Sequence, residues 1–354
     1  MRPAQAPVAE KTSGASLAVI IPARNEADVI SASIQSLLRQ EYAGPLHVFL
    51  VDDESTDGTS KAATHAAVAC EGADRLTIVH ARPLPAGWTG KMWAVSQGIA
   101  WAYAWQPDYY LLTDADVVHG PENLRELVTR AESGDFDLVS LRVKLQTRTL
   151  AERALIPAFV FFFFMLYPPA WVARADRRTA AAAGGCILIR RSALERVGGV
   201  ESIRDQIIDD CALAARVKAN GNIWLGTTSE TFSVRGYGGW TEVGHMISRS
   251  AFTQLRHSVS LLFGVALGMG ITFLAPPLLL FARSWAALAG LAAWLLMTVA
   301  FLPTLHFYRR SPLWAPLLPL ISIFYLGATI HSAIQYWRGR GGAWKGRIQD
   351  PLST

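Results

Sequence analysis

The chain has 354 residues, and its 17% of charged residues lies below the about 25% that is usual for soluble domains, which argues against an ordinary soluble enzyme. The formal charge of +5 comes from 33 Lys and Arg against 28 Asp and Glu, but no extended basic stripe runs through the α/β part, which argues against a nucleic-acid partner. The three cysteines lack the spacing of a zinc site and argue against a disulfide framework, in keeping with a reduced cytosolic setting.

Strand and helix patterns alternate along the first part of the chain. Residues 1–15 are polar and rich in Pro and Ala, and predict a disordered leader. The predicted strands are residues 17–22, 47–51, 76–80 and 109–113, and the predicted helices are residues 27–39, 60–70, 91–105, 122–133 and 211–218. Strands that alternate with helices predict an α/β fold with a mostly parallel sheet and helices on both faces.

Acidic pairs follow two of these predicted strands. Asp52 and Asp53 close the second strand, and Asp114 and Asp116 close the fourth. Ligands of open α/β sheets bind beyond the carboxyl ends of the strands, and Mg²⁺ or Mn²⁺ prefers carboxylate and phosphate oxygens. The pairs therefore predict a site for a divalent cation and a nucleoside diphosphate. The alternative for Asp52 and Asp53 is turn formation or helix capping, and the alternative for Asp114 and Asp116 is a solvated loop. The nearby Asp57 is interpreted as a helix cap.

Six motifs occur in order along this part of the chain. They are residues 20–26, residues 51–59, Lys91 after Gly90, residues 114–116, the pair Gly184-Gly185 with Arg190-Arg191, and the pair Asp209-Asp210. Together they resemble the family 2 glycosyltransferases, whose catalytic domain has the Rossmann-like GT-A fold, over roughly residues 17–256. The run 84–94 and the apolar C-terminal part resemble the hopene-associated glycosyltransferases and the ceramide glucosyltransferase-like group.

The resemblance implies a binding site for a UDP-sugar donor. It assigns Asp52 and Asp53 to the uracil and ribose, and it assigns the backbone near Pro22, Arg24 and Glu26 to the floor of the nucleotide site. A carboxylate can recognise the uracil base by accepting a hydrogen bond from its ring N–H.

The resemblance also implies contacts to the metal ion and the diphosphate. Asp116 is expected to ligate Mg²⁺ or Mn²⁺, and Asp114 to bind the ribose or to join the metal shell. Lys91 and Arg256 are expected to face the donor phosphates, with a surface lysine as the alternative for Lys91.

Asp210 is the catalytic base that the resemblance implies. It would take a proton from the acceptor hydroxyl, which attacks the anomeric carbon from the face opposite the diphosphate and so inverts that centre. Asp209 stands where the family has Glu, so its catalytic role is less defined. The alternative is that both acids stabilise a helix start. His257 replaces the tryptophan of processive members, which argues against a processive polysaccharide synthase.

Three apolar blocks in the C-terminal part are long enough to span a bilayer. They are residues 259–281, 285–307 and 313–334, and about 20 apolar residues suffice for one span. They predict a membrane domain of residues 257–337, followed by a basic tail, residues 338–354. The side of the membrane on which this tail lies stays open, and the proline-rich third block has a re-entrant alternative.

A fourth apolar run, residues 154–172, is interpreted differently. If it spanned the bilayer, Asp116 and Asp210 would lie on opposite sides, which is incompatible with one active site. We therefore predict an interfacial segment, with the neighbouring arginines Arg174, Arg177 and Arg178 at the lipid headgroups. A buried core helix is the alternative.

The sequence therefore predicts a glycosyltransferase domain, residues 16–256, anchored in the membrane. It would be an inverting hexosyltransferase that moves a sugar from a UDP-sugar to a lipid hydroxyl, such as a hopanoid or polyisoprenoid. The predicted location is the inner (cell) membrane, with several spans and the catalytic domain in the cytoplasm. The alternatives are transfer to a polysaccharide or polyprenyl-phosphate acceptor, and a catalytically silent nucleotide-sugar binding protein.

Overall fold

The computed structural model describes residues 14–283 and 285–342, which form two compact units. The sheet unit contains the described residues up to Leu145 together with Tyr167–Arg235. The helical unit contains Gln146–Leu166 and the described residues from Gly236 onward. The predicted leader, except residues 14 and 15, and the predicted basic tail, except residues 338–342, lie outside the described residues.

Eight strands within the described residues form one mixed sheet, in the order β3-β2-β1-β4-β7-β6-β8-β5. They are β1 (Leu17–Ala23), β2 (Leu46–Asp52), β3 (Leu76–His80), β4 (Tyr109–Leu112), β5 (Val117–Val118), β6 (Leu138–Lys144), β7 (Ile187–Arg190) and β8 (Ile223–Ser233). Four neighbouring pairs are parallel, and the three pairs that involve β5 or β7 are antiparallel. The predicted α/β class with a mostly parallel sheet is confirmed.

Helices separate most of these strands along the chain, and further helices follow β8. The α-helices are α1 (Ala27–Leu38), α2 (Thr59–Ala69), α3 (Gly90–Tyr103), α4 (Asn123–Ser133), α5 (Leu150–Leu166), α6 (Pro169–Val172), α7 (Arg191–Arg196), α8 (Asp209–Lys218), α9 (Trp240–Gln254), α10 (Val259–Met269), α11 (Ala275–Leu279), α12 (Trp285–Phe307) and α13 (Leu318–Trp337). The predicted strand at residues 76–80 is confirmed at both ends. Helix α8 begins two residues earlier than predicted, at Asp209.

The core of the sheet unit follows from two sequence patterns. Strand β1 is an unbroken apolar run that is buried along its whole length, as expected for a parallel strand with neighbours on both edges. Helix α1 presents Ile30, Ile34 and Leu37 at helical spacing, and all three are fully buried. Such a stripe buries one face of the helix and leaves the other polar.

Four helical stretches of the described residues are long and apolar enough to cross a membrane. They are Leu150–Val172, Val259–Leu279, Trp285–Phe307 and Pro312–Trp337. The last three coincide with the predicted spans, although a π-helical turn at Gly270–Leu274 separates α10 from α11. The first contains the predicted interfacial segment and is interrupted between α5 and α6.

Helix α5 packs through aromatic rings inside the helical unit. The ring of Phe162 lies 5.5 Å from that of Phe273 and 4.8 Å from that of Tyr325, centroid to centroid. The Tyr325 hydroxyl donates a hydrogen bond of 2.8 Å to the Leu155 carbonyl. Tilted and edge-on aromatic pairs add stabilisation beyond area burial, so this helix is tied to the C-terminal helices.

The start of α5 is held by a buried carboxylate. Glu152 Oε2 accepts from Thr149 N–H at 2.8 Å while Thr149 Oγ1 accepts from Glu152 N–H at 3.2 Å, which is the reciprocal capping box. Glu152 Oε2 also accepts from Arg148 N–H at 2.6 Å, and Oε1 accepts from Tyr237 N–H at 2.5 Å. Glu152 is fully buried, and these N–H groups offset the cost of burying its charge.

Candidate functional site

The carboxyl ends of the central parallel strands carry the predicted acids to one edge of the sheet. The register places Ala23, the end of β1, beside Asp52, the end of β2. Thr113 follows β4, and its N–H donates to the Ile20 carbonyl of β1 at 3.2 Å. The loops that contain Asp53 and Asp114 therefore leave the same edge of the sheet, on the two sides of β1.

A pocket at this edge brings together side chains that are far apart in the sequence. Its lining includes Pro22, Lys91, Asp114, Gly184, Asp209 and Asp210. The Lys91 amine lies 3.1 Å from Asp114 Oδ1 and 3.2 Å from Asp209 Oδ2. We call Lys91, Asp114, Asp209 and Asp210 the acidic cluster. The two carboxylates are the ion-pair partners of Lys91 among the described residues, and its predicted contact with donor phosphates stays a prediction.

Asp210 is the most constrained acid of the cluster. Its Oδ2 accepts from Gly184 N–H at 2.9 Å and its Oδ1 accepts from Cys211 N–H at 2.7 Å. Burial raises the pKa of Asp210 above its ordinary value, neighbouring Asp209 raises it further, and Lys91 acts in the opposite direction. A carboxyl with a raised pKa is a stronger proton acceptor once it is deprotonated.

The paired glycines of the sequence are explained by this geometry. A Cβ atom at Gly184 would lie 3.2 Å from Lys91 Nζ and 3.5 Å from Asp210 Oδ2, and a Cβ at Gly185 would lie 2.9 Å from a methyl carbon of Val143. A side chain at either position would therefore push against the cluster or the core. Glycine allows the Gly184 N–H to approach the Asp210 carboxylate.

Lys91 is held as a cation by its surroundings. Burial alone would lower its pKa, but Asp114 and Asp209 outweigh burial and raise the pKa above the ordinary value. The lysine side chain is 22% exposed and that of Asp209 is 18% exposed, so water screens these ion pairs only in part. The cluster contains three acids and one permanent cation.

Asp116 belongs to a second group of polar side chains in the sheet unit. Its Oδ2 accepts from the Ser233 hydroxyl at 2.5 Å and lies 3.3 Å from Arg235 Nε. Arg235 also forms an ion pair with Glu26. Sequence reasoning missed Ser233 and Arg235. The available signal was a cation directly before a glycine-rich run, residues 236–239.

The loop after β2 contains the residues predicted to contact the nucleotide. Asp52 Oδ1 accepts from Ser55 N–H at 2.9 Å, and Asp52 Oδ2 accepts from the Ser60 hydroxyl. Asp53 is buried, with its Oδ2 3.6 Å from Arg24 NH1. Asp52 is therefore engaged in the turn, as the alternative interpretation expected, while Asp53 is paired with a predicted floor residue.

Asp57 has a local role in the structure. Asp57 Oδ1 accepts from Thr59 N–H at 3.1 Å and Oδ2 accepts from Ala27 N–H at 2.9 Å. Asp57 therefore stabilises the starts of two helices, and its predicted capping role is confirmed. Arg256 belongs to the helical unit, where it adopts a left-handed conformation with φ 51° two residues after the end of α9. Its contact with the donor phosphates stays a prediction.

The donor set suits a hard divalent cation. Within residues 14–283 and 285–342, no group of three His, Cys, Asp or Glu side chains is arranged so that these side chains alone could hold a metal ion. Mg²⁺ and Mn²⁺ sites that bind a nucleotide commonly use one or two carboxylates and complete their shell with phosphate oxygens and water. Asp114 and Asp116 lie on one short loop between β4 and β5 and carry two carboxylates of this kind.

The mixed, mostly parallel sheet, with carboxylates beyond the ends of its central strands, has a GT-A-like fold. The sequence matches the model of "Glycosyl transferase family 2" over residues 18–198, which is about half of the chain. The chain belongs to the family 2 glycosyltransferases, and the family predicted from the six motifs is confirmed.

Solved structures of similar fold include the mannosyltransferase PcManGT from Pyrobaculum calidifontis in complex with GDP-Man and Mn²⁺. It is 20% identical, with a TM-score of 0.55 over 90% of this chain and 87% of that chain. Glucosyl-3-phosphoglycerate synthase from Mycobacterium tuberculosis, in complex with phosphoglyceric acid, is 18% identical with a TM-score of 0.43, over 69% of this chain and 80% of that chain. The likeness to PcManGT shows the fold alone. No curated protein matches the sequence.

Proposed function

We propose that this glycosyltransferase is an inverting, membrane-anchored enzyme that transfers a hexose from a nucleoside-diphosphate sugar, with UDP as the expected nucleotide, to a lipid hydroxyl. The observation that carries the proposal is the position of Asp210 in the acidic cluster, next to Lys91 and Gly184 and in one pocket with Asp114.

The donor half of the proposal rests on the loops after β1, β2 and β4. Arg24, Glu26 and Asp53 lie in the loops after β1 and β2, where the nucleotide would bind, and Arg24 donates a 2.6 Å hydrogen bond to the Asp53 carbonyl. Asp114 and Asp116 would hold Mg²⁺ or Mn²⁺ beyond β4. When bound, this cation would neutralise charge on the departing diphosphate.

Asp210 is the proposed general base. Its carboxylate is oriented by two backbone N–H groups, and it would accept the proton of the acceptor hydroxyl as that oxygen bonds to the anomeric carbon. The bond from this carbon to the diphosphate breaks on the opposite face, which inverts the configuration. Asp209 is paired with Lys91 and is assigned a supporting electrostatic role in the cluster.

The membrane anchor and the lipid acceptor are supported by the surface of the helical unit. Large apolar side chains are exposed along its helices, with Phe263 69% exposed, Phe281 87% and Trp285 84%. Soluble proteins rarely expose contiguous apolar surface of this kind, whereas acyl chains would cover it. We propose residues 257–337 as the membrane domain, residues 154–172 as the interfacial segment and residues 16–256 as the catalytic domain on the cytoplasmic side of the inner membrane. A hopanoid or polyisoprenoid alcohol is the proposed acceptor.

The test is sugar transfer in membranes from cells that express the protein. Membranes are incubated with radiolabelled UDP-glucose or GDP-mannose and MnCl₂, and the lipid extract is analysed by chromatography and mass spectrometry. The comparison includes Asp210→Asn and the matched control Asp205→Asn, since Asp205 is exposed and its carboxylate accepts only from the neighbouring Gln206 side chain among the described contacts.

We expect label in a lipid with the wild type and with Asp205→Asn, and a loss of about 10²-fold or more with Asp210→Asn. EDTA should abolish both transfer and nucleotide binding. Undiminished transfer by Asp210→Asn would refute the base assignment. Label in a polysaccharide or polyprenyl phosphate would support the alternative acceptors, and nucleotide-sugar binding without any transfer would indicate a silent binding protein.

A further inference from the structure

Three buried polar side chains form a hydrogen-bonded chain beneath the acidic cluster. Asn123 Nδ2 lies 2.9 Å from His119 Nδ1, His119 Nε2 lies 3.0 Å from Thr113 Oγ1, and Thr113 Oγ1 lies 2.8 Å from the Gly185 carbonyl oxygen. The three residues are 4%, 3% and 2% exposed. None of them was singled out by the sequence analysis.

The direction of this chain follows from its last member. The Gly185 carbonyl can only accept, so the Thr113 hydroxyl donates to it and its oxygen accepts from His119 Nε2–H. His119 Nδ1 then carries a lone pair, which accepts from the Asn123 amide. Burial lowers the pKa of His119 to about 3, so the ring is neutral and keeps this single tautomer.

The chain connects three elements of the site. Asn123 is the first residue of α4, and Thr113 directly precedes Asp114. The Gly185 carbonyl belongs to the glycine turn whose Gly184 N–H donates to Asp210 Oδ2. One end of the chain is therefore anchored in a helix, and the other end supports the turn that orients the proposed base.

The backbone contacts indicate which part would move if the chain were broken. Thr113 is tied independently to β1 through its N–H, which donates to Ile20 at 3.2 Å. Among the described contacts, the Gly185 carbonyl accepts its hydrogen bond from the Thr113 hydroxyl. A side chain at Gly185 could not restrict the turn instead, because its Cβ would lie 2.9 Å from a Val143 methyl carbon. Loss of the hydroxyl would thus loosen the glycine turn rather than displace Asp114.

We propose that Thr113 and His119 are positioning residues, which fix the glycine turn and through it the Asp210 carboxylate for proton transfer from the acceptor. This inference rests on the proposed role of Asp210. Thr113 and His119 would affect the rate of transfer through Asp210, without contact to the donor or the acceptor. A 1 Å displacement of a reacting group can slow a reaction by about 10²-fold.

The test compares Thr113→Val, which has nearly the same shape but no hydroxyl, with Thr113→Ser, which keeps the hydroxyl. For each full-length variant, kcat and donor KM are measured with UDP-glucose or GDP-mannose, whichever the wild type turns over. UDP or GDP affinity is measured by calorimetry with MnCl₂, and folding by thermal melting in detergent.

We expect Thr113→Val to lower kcat by about 10- to 100-fold, with donor KM and nucleotide affinity within about twofold of the wild type, and Thr113→Ser to restore kcat to within about threefold. A parallel loss of kcat and nucleotide affinity, or an equal kcat in both variants, would overturn the proposal.

A second pair of variants covers the case in which Thr113→Val does not fold. The amide of His119→Gln lies near the position of Nε2 and reaches the Thr113 hydroxyl, whereas that of His119→Asn lies near Nδ1 and does not. We expect His119→Gln to retain a higher kcat than His119→Asn, and equal kcat values would overturn the proposal.

Asp210→Asn is assayed in parallel to separate the two proposals. If Asp210→Asn stays active, the proposed base is wrong. If Asp210→Asn is inactive and Thr113→Val is unimpaired, only the positioning role is refuted.

Discussion

Replacing Lys91 by glutamine should shift the pH dependence of transfer towards higher pH. Lys91 is the cation of the acidic cluster and counteracts the rise in the pKa of Asp210 that burial and Asp209 cause. Glutamine keeps most of the side chain's length but removes the charge, so the pKa of Asp210 rises. A general base is active when deprotonated and loses activity as the pH falls through its pKa, so the acid limb of kcat moves upward.

The size of this shift follows from the geometry. Two unit charges about 4 Å apart interact by about 4 kcal/mol at an effective dielectric constant of about 20. The ion pairs of Lys91 are with Asp114 and Asp209, at 3.1 and 3.2 Å, and water reaches its side chain in part. Its effect on Asp210 is therefore a fraction of this value, about 1–2 kcal/mol.

The assay is kcat against pH, at saturating donor and metal, for the wild type, Lys91→Gln and the control Lys61→Gln on the exposed face of α2. The wild type and the control should share one acid limb, and the acid limb of Lys91→Gln should lie at higher pH. An unchanged acid limb, with kcat lowered by the same factor at every pH, would refute the electrostatic reasoning. It would favour the phosphate contact that the sequence analysis expected for Lys91.

Two further outcomes follow from other ion pairs and hydrogen bonds. Arg235→Gln removes the cation beside Asp116 and Glu26, so Mn²⁺ should bind about 3- to 10-fold more tightly in the absence of nucleotide. Mn²⁺ affinity is measured by calorimetry, with the exposed Arg39→Gln as the control variant. Weaker Mn²⁺ binding by Arg235→Gln would contradict this prediction. Glu152→Gln turns an acceptor of several backbone N–H groups into a partial donor and should lower the free energy of unfolding by about 1–3 kcal/mol. A lower melting temperature than that of the exposed control Glu132→Gln is expected, and equal melting temperatures would show that these bonds contribute little.

Local patterns were sufficient to predict the alternating elements of the sheet unit. The strand at residues 76–80 and the helix start at Ala27 appear where the strand and helix patterns predicted them. These signals are local, because side-chain periodicity and capping act over a few residues. The antiparallel placement of β7 between β4 and β6 was not predicted, since strand order depends on contacts between distant segments.

The candidate site was predicted in part for the same reason. Acids at strand ends could be found from the sequence because the position of a residue at the end of a strand is a local property. The pairing of Lys91 with Asp209, and of Asp116 with Arg235, joins segments more than a hundred residues apart. No periodicity carries such information, so these partners became visible only in the folded chain.

The sequence by itself determined the family, the α/β class, the acids at the strand ends and the apolar C-terminal helices, since each of these depends on residue type and short-range spacing. The tertiary structure decided which charges neutralise one another, that Lys91 faces carboxylates, and that a buried threonine and histidine support the turn beside Asp210. The physical reason is that hydrogen bonds and ion pairs depend on distances of about 3 Å, and for residues far apart in the chain only the packing of the whole sheet unit sets those distances.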